Sequence, residues 1–161
     1  MPASNFYRPE HLPVVIFCGG RGTRLKEETE LIPKPLVRIG ERPILWHIMK
    51  IYFAQGFRKF VLLGGYKCEL IKNYFYDYPV QMSDFTVSHK NGVREVLFHR
   101  LPDEDWEVTV LDTGLMAETG ARLKRASRFL EGRPFMLTYG DGVSNVDLHK
   151  LIAYHELHRP L

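Results

Sequence analysis

Cysteine is scarce in this chain. Two thiols in 161 residues, Cys18 and Cys68, cannot build the disulfide framework of a small secreted domain, so a reducing cytoplasm is the expected setting. Long apolar runs are missing too. None approaches the roughly 20 residues that a membrane-crossing helix needs, and no membrane partner is expected. The opening stretch MPASNFYRPEHLP sets prolines among polar residues with no apolar centre, which is not the pattern of a secretory leader. Neither sign of charge is in large excess. The 22 Lys and Arg stand against 19 Asp and Glu, scattered rather than gathered, which argues against nucleic acid and suits a small anionic ligand. Repeats and low-complexity segments are absent. The run His155-Glu156-Leu157-His158 falls short of a H-E-x-x-H zinc motif, because Arg159 stands where the second histidine belongs.

What is present is 45% hydrophobic and 25% charged residues in a length that fits one domain with a sizeable core. Residues 1–12 read as a loose arm. Pro13 then introduces VVIFC (14–18), an apolar run bounded by proline and glycine that suits a strand buried on both faces. RPILWHIMKIYFAQG (42–56) has Pro43 at its start, Gly56 at its end and apolar residues at helical spacing between them. KFVLLGG (59–65) reads as a second buried strand and YKCELIKNYFYDY (66–78) as a second helix. The crowded Tyr74, Phe75, Tyr76 and Tyr78 fit a core or subunit contact better than base stacking.

The period then switches. DFTVSHK and VREVLFHR flank Asn91-Gly92, the strongest short-range hairpin signal. EVTVLDTG (107–114) predicts a strand, ETGARLKRASRFLEG (118–132) a helix closed by Gly132, and FMLTYGDG (135–142) a strand running into a glycine turn. Asp147 is placed to cap a last helix over 146–158. Strand–helix alternation interrupted by one hairpin predicts an α/β fold, Rossmann-like and three-layered, with a mostly parallel sheet and a ligand at the carboxyl ends of its strands.

The chemistry concentrates in VVIFCGGRGTRLKEETELIPKPL (14–36). A dinucleotide fingerprint needs a third glycine, and Leu25 occupies that place; a P-loop needs a Gly-Lys that is not there. What stays is Gly19, Gly20 and Gly22 within four residues, which let main-chain N–H groups approach an anion closely. Arg24 adds a guanidinium, and Lys34 is held between Pro33 and Pro35. This combination suits a triphosphate under attack. A tight turn carrying two solvated cations is the alternative.

The run GGRGTRLKEET…PKPLVRIGERPILWHIMK resembles the sugar-nucleotide pyrophosphorylases, whose loop reads G-G-x-G-T-R-L followed by P-K-P. Gly65-Tyr66-Lys67, QMSDFT (81–86), VTVLDTG (108–114), TGARLKR (119–125) and TYGDGVS (138–144) are similar to the glucose-1-phosphate cytidylyltransferase branch of that family. The resemblance covers residues 13 to about 155. It implies joining of CTP and α-D-glucose 1-phosphate into CDP-glucose and pyrophosphate, with Mg²⁺. In its terms the nucleotide lies over Phe17, Cys18, Gly19, Gly20 and Arg21, with Gly22, Thr23 and Arg24 on the phosphates. Arg24 and Lys34 are the catalytic cations, the first on the leaving pyrophosphate and the second on the attacked phosphoryl group. Ala117 to Arg122 matches the part that recognises cytosine and further phosphate oxygens, and Gly140 lies beside the ribose. Asp141 matches a magnesium ligand, and the glycines on both sides favour close ligand approach, although a turn-forming aspartate is common in such a place.

The sequence departs from the pattern in three places. Phe17-Cys18 replaces the usual Leu-Ala, Ala117 a polar residue and Ala121 a glycine, so backbone contacts are expected to survive and side-chain contacts at 117 are not. Family members also continue for about another hundred residues (compare), which carry most of the sugar site and a second metal carboxylate. Residues 13–161 are therefore expected to form the nucleotide-binding part, without the C-terminal sugar-binding part. An exposed sheet edge or helix face at that point would be relieved by assembly, and a homo-oligomer is expected. A catalytically silent nucleotide-binding module and a same-fold enzyme for another base or sugar are the alternatives.

Overall fold

The computed structural model describes residues 7–20 and 31–158. Four parallel strands form the central sheet: β1 (Pro13–Cys18), β4 (Lys59–Gly64), β7 (Glu107–Asp112) and β8 (Met136–Tyr139), in the order β7-β4-β1-β8. β1 is one of the two inner strands, with Val14, Val15 and Ile16 fully buried, as its unbroken apolar run requires of a strand covered on both faces. It pairs in register with β4, from Pro13 opposite Lys59 to Cys18 opposite Gly64, and on its other side sets Phe17 opposite Tyr139 of β8.

Alternation along β1 divides the core. Val14, Ile16 and Cys18 face one layer, with Leu45, Ile48 and Met49 of α1 (Ile44–Ala54), Ile71 of α2 (Cys68–Tyr76), and Leu148 and Ile152 of α5 (Leu148–Leu157). Val15, Val61 and Leu63 face the other, covered by Ala126 and Leu130 of α4 (Thr119–Leu130). The expected three-layer αβα arrangement is present, with a mostly parallel sheet. The strands run from the first outward to β4 and β7, and then jump to β8 on the opposite side. That reversal makes a crevice at the carboxyl ends of β1 and β8.

Local signals act as their chemistry dictates. Asn91 and Gly92 both take positive φ, 52° and 78°, joining β5 (Phe85–Lys90) to β6 (Val93–Phe98) as a two-residue hairpin. The Asp147 carboxylate accepts from the Lys150 backbone N–H at 3.0 Å and caps α5. Pro43 stands at the N-cap of α1.

Three features differ from expectation. The region expected as one helix over 66–78 divides, and a short α3 (Tyr78–Met82) follows Asp77, with Pro79 near its start. Within this aromatic cluster Tyr78 is buried and accepts from the Trp46 indole N–H at 2.8 Å, while Tyr76 is exposed. β2 (Arg38–Ile39) and β3 (Arg42–Pro43) form a miniature antiparallel sheet too short to show a period. Residues 7–12, expected as a loose arm, make a turn in which the Leu12 N–H reaches the Arg8 carbonyl, and Leu12 enters the core.

Candidate active site

The crevice predicted by the strand order is a cleft of about 210 Å³. Its floor comes from the end of β1 (Phe17, Cys18, Gly19, Gly20), one wall from the end of β8 (Tyr139, Gly140, Asp141), and another from the start of α4 (Ala117, Thr119, Arg122). Lys34 and Pro35 close the remaining side. The expected residues Phe17, Cys18, Gly19, Gly20, Lys34, Ala117, Arg122, Gly140 and Asp141 are thus gathered around one space. Arg21, Gly22, Thr23 and Arg24 lie outside the described residues. Glu118 and Thr119, inside the expected Ala117–Arg122 segment, line the cleft as well, and so does Tyr139, which was not singled out. Tyr139 could have been found from its place directly before Gly140-Asp141; its ring sits 5.4 Å from that of Phe17, its partner on β1.

Glycine serves two different ends here. A β-carbon on Gly19 would lie 2.3 Å from the Arg122 guanidinium, and one on Gly140 would lie 2.9 Å from the Phe17 carbonyl and 3.2 Å from Pro35. Both positions are glycine because something else fills the space. The Gly140 N–H donates to that same Phe17 carbonyl at 2.9 Å, drawing the end of β8 onto β1. Among the described residues nothing lies within 4 Å of where a β-carbon on Gly20 would be, so on that side its backbone is open to a ligand.

Arg122 is the central tie. It is 5% exposed. Its Nη1 donates to the Gly64 carbonyl (3.0 Å), the Thr113 hydroxyl (2.7 Å) and the Gly114 carbonyl (2.8 Å), and its Nη2 to the Gly19 (3.0 Å) and Leu115 (3.4 Å) carbonyls. One guanidinium therefore binds together the segments that follow β1, β4 and β7. Burial, with the nearby Arg125 charge, lowers its pKa. The sequence contains a signal for this role. Arg122, Ala126 and Leu130 recur at four-residue spacing on the buried stripe of α4, whereas Lys124, Arg125 and Arg128 are exposed. The helix itself begins beside the cleft, at Thr119, with no side chain capping it. Its first backbone N–H groups and the positive end of its dipole favour an anion there.

Lys34 opens a 3-10 turn, Lys34–Leu36, in which the Val37 N–H closes back on the Lys34 carbonyl. Its ammonium reaches the Asp141 carboxylate at 3.5 Å. Asp141 is half-exposed and follows β8 in the Gly-Asp-Gly turn. Among the described residues no three His, Cys, Asp or Glu side chains form a metal site by themselves. A cation held by Asp141 would therefore complete its shell with water and ligand phosphates, the usual manner of Mg²⁺. Cys18 is no thiolate nucleophile. Burial first, then the nearby Cys68 and Asp141, push its thiol far above the ordinary range.

The assembled chemistry is a glycine floor, a helix N-terminus, a lysine and two carboxylates, Glu118 and Asp141, around one space. No helix among the described residues is long and apolar enough to cross a membrane. Known proteins resemble the chain over most of its length. The chain is 46% identical over 145 residues to the probable glucose-1-phosphate cytidylyltransferase of Bacillus subtilis, covering 90% of this chain and 56% of the relative. It is 45% identical over 148 residues to the glucose-1-phosphate cytidylyltransferase of Salmonella typhimurium, covering 91% and 57%. It thus spans little more than half the length of these relatives. Among solved structures, HddC from Yersinia pseudotuberculosis complexed with GMP-PN superposes with a TM-score of 0.63 at 27% identity, over 89% of this chain and 54% of that one. A family model described as the MobA-like NTP transferase domain matches residues 14–154. The chain belongs to the MobA-like NTP transferase domain family.

Proposed function

We propose that residues 13–161 carry the nucleotide site of a glucose-1-phosphate cytidylyltransferase, which joins CTP and α-D-glucose 1-phosphate into CDP-glucose and pyrophosphate. The observation that carries the reading is the meeting of Lys34 and Asp141 over the Gly19-Gly20 floor. A lysine and an oxygen ligand converging where a triphosphate would lie suit nucleotidyl transfer better than the mere holding of a cofactor. The identity to cytidylyltransferases, at 45–46%, favours cytosine and glucose over other bases and sugars.

A phosphate oxygen of glucose 1-phosphate attacks the α-phosphorus of CTP. The bond from that phosphorus to the oxygen bridging to the β-phosphate breaks, and pyrophosphate leaves with the electron pair. No side-chain nucleophile and no proton transfer to the protein are needed. The protein positions the two reactants and neutralises charge. Lys34 holds the oxygens of the attacked phosphoryl group against the incoming sugar phosphate. Arg24 takes the charge that builds on pyrophosphate. Backbone N–H groups from Gly20 and the start of α4 orient the nucleotide, and Ala117 to Arg122 surround the base. Asp141 would hold Mg²⁺, which when bound neutralises the triphosphate. A cytoplasmic location and assembly with further copies of the protein accompany this reading.

The test is pyrophosphate release by the intact protein with CTP and glucose 1-phosphate. Lys34→Ala and Arg24→Ala are each expected to lower turnover by about a thousandfold. Near-normal turnover in either variant rejects the assignment, and a panel of the four triphosphates tests base choice.

A further inference from the structure

Lys34 does not hold its place alone. Downstream, the Ile44 N–H donates to the Val37 carbonyl at 2.9 Å and ties the exit of the 3-10 turn to the start of α1. Upstream, the Lys67 ammonium crosses from the turn between β4 and α2 to the Leu31 carbonyl at 2.8 Å, joining residues 36 positions apart. The segment Leu31–Val37 is thus a short strut fixed at both ends, with Lys34 near its middle.

Lys67 itself sits in an unusual backbone state. Its φ and ψ are 49° and 40°, the left-handed region that a lysine adopts only at a cost. Glycine or asparagine at the same place would relieve that cost. The left-handed residue starts α2 and turns its side chain out of the helix direction toward Leu31. The base of this turn is anchored as well: a β-carbon on Gly65 would stand 2.5 Å from the Arg122 guanidinium and 2.9 Å from the Gly19 carbonyl. A rigid line therefore runs from Arg122 through the Gly64–Lys67 turn to Leu31 and on to Lys34.

We propose that Lys67 is a positioning residue that sets the reach of Lys34 into the cleft by tethering the Leu31 carbonyl. The proposal rests on the transferase reading for its catalytic consequence, but not for its geometry. It explains why a strained lysine stands where a glycine would be easier: the side chain is needed and the backbone strain is tolerated.

Two measurements decide it. In trace acetylation of the folded chain read by mass spectrometry, Lys67→Met is expected to raise the rate at Lys34 by roughly threefold, the size of effect that loss of one exposed hydrogen bond allows. The rates at Lys59 and Lys150 serve as internal standards and stay constant, and Lys67→Arg restores the Lys34 rate. An unchanged Lys34 rate in Lys67→Met overturns the proposal. In turnover assays of the intact protein, Lys67→Met lowers kcat by about tenfold, with the KM for CTP within about twofold, and Lys67→Arg recovers most of it. Lys67→Gly separates structure from position: its Tm equals or exceeds that of the wild type while kcat falls as in Lys67→Met. If Tm and kcat instead fall together in Lys67→Gly, the residue is merely structural and the proposal fails. If the wild type forms no CDP-glucose, the transferase reading fails while the acetylation experiment still decides the role of Lys67.

Discussion

The Lys34 ammonium lies 3.5 Å from the Asp141 carboxylate, across the mouth of the cleft and 107 residues apart in the chain. Each neutralises the other. On the proposed reading, a metal-bound triphosphate would separate them, the carboxylate turning to the metal and the ammonium to the phosphates.

On that reading, removing Lys34 should strengthen metal binding at Asp141 while lowering turnover. An ion pair with one half-exposed member is worth about 1 kcal/mol at most, so Lys34→Met is expected to raise Mn²⁺ affinity by up to about fivefold. Asp141→Asn should lower it strongly without unfolding the chain, since the carboxylate faces solvent. Electron paramagnetic resonance of free Mn²⁺ during titration gives both numbers. Equal affinity in wild type and Lys34→Met would show that the pair does not compete with the metal.

Arg122→Met should destabilise the fold as well as the site. It takes the donor from the buried Gly19 carbonyl and the short one from the Gly114 carbonyl, while the Gly64 carbonyl keeps the Thr113 N–H and hydroxyl. At about 1 kcal/mol for each of the two acceptors, the loss is about 2 kcal/mol. For a chain of this size that lowers Tm by roughly 6 °C. Arg122→Lys should rescue little, because a single ammonium cannot span the positions that two guanidinium nitrogens reach. Differential scanning calorimetry of the three proteins is the check.

Gly140→Ala and Gly20→Ala should behave oppositely. The first forces a methyl to within 2.9 Å of the Phe17 carbonyl and is expected to cost about 1–3 kcal/mol in denaturant unfolding. The second meets nothing among the described residues, is expected to leave stability within about 0.5 kcal/mol, and on the proposed reading weakens CTP binding in calorimetry.

Alkaline pH should loosen the protein through its buried thiols and phenols. Burial raises the folded-state pKa of Cys18, and also those of Cys68, Tyr52, Tyr74 and Tyr78. These groups stay neutral in the fold while the unfolded chain ionises them. Stability is therefore full below the unfolded thiol value of 9.0 and falls as pH rises above it, by up to about 1.4 kcal/mol per pH unit for each group. Urea midpoints at pH 8 and pH 10.5 should differ, and Cys18→Ala should narrow the difference.

The layered architecture was legible because it rests on local period. The apolar run 14–18, the Asn91-Gly92 turn and the Asp147 cap each name their own structure without reference to distant residues. The cleft was legible through resemblance, which gathered Phe17 to Gly20, Lys34, Ala117, Gly140 and Asp141. What escaped depends on contacts between segments far apart. The four-residue spacing of Arg122, Ala126 and Leu130 marks Arg122 as inward-facing, but nothing in GARLKRAS says that its donors go to three strand ends rather than to a phosphate. The strut between Lys67 and Leu31 was equally hidden, as neither a left-handed lysine nor a carbonyl acceptor leaves a mark in composition. The split of the helix after Asp77 follows from a proline that the aromatic pattern overshadowed.

The pairing of Phe17 with Tyr139 also has a consequence for how the protein is made. More than a hundred residues separate the two walls of the cleft, so a ribosome that has delivered β1, β4 and β7 has produced a sheet but no binding site. Nucleotide cannot assist the early stages of folding, because the surface that would grip it arrives only with β8. Ligands added during synthesis should rescue slow-folding variants whose defect lies in docking β8, and should leave untouched those whose defect lies in joining β1 to β4.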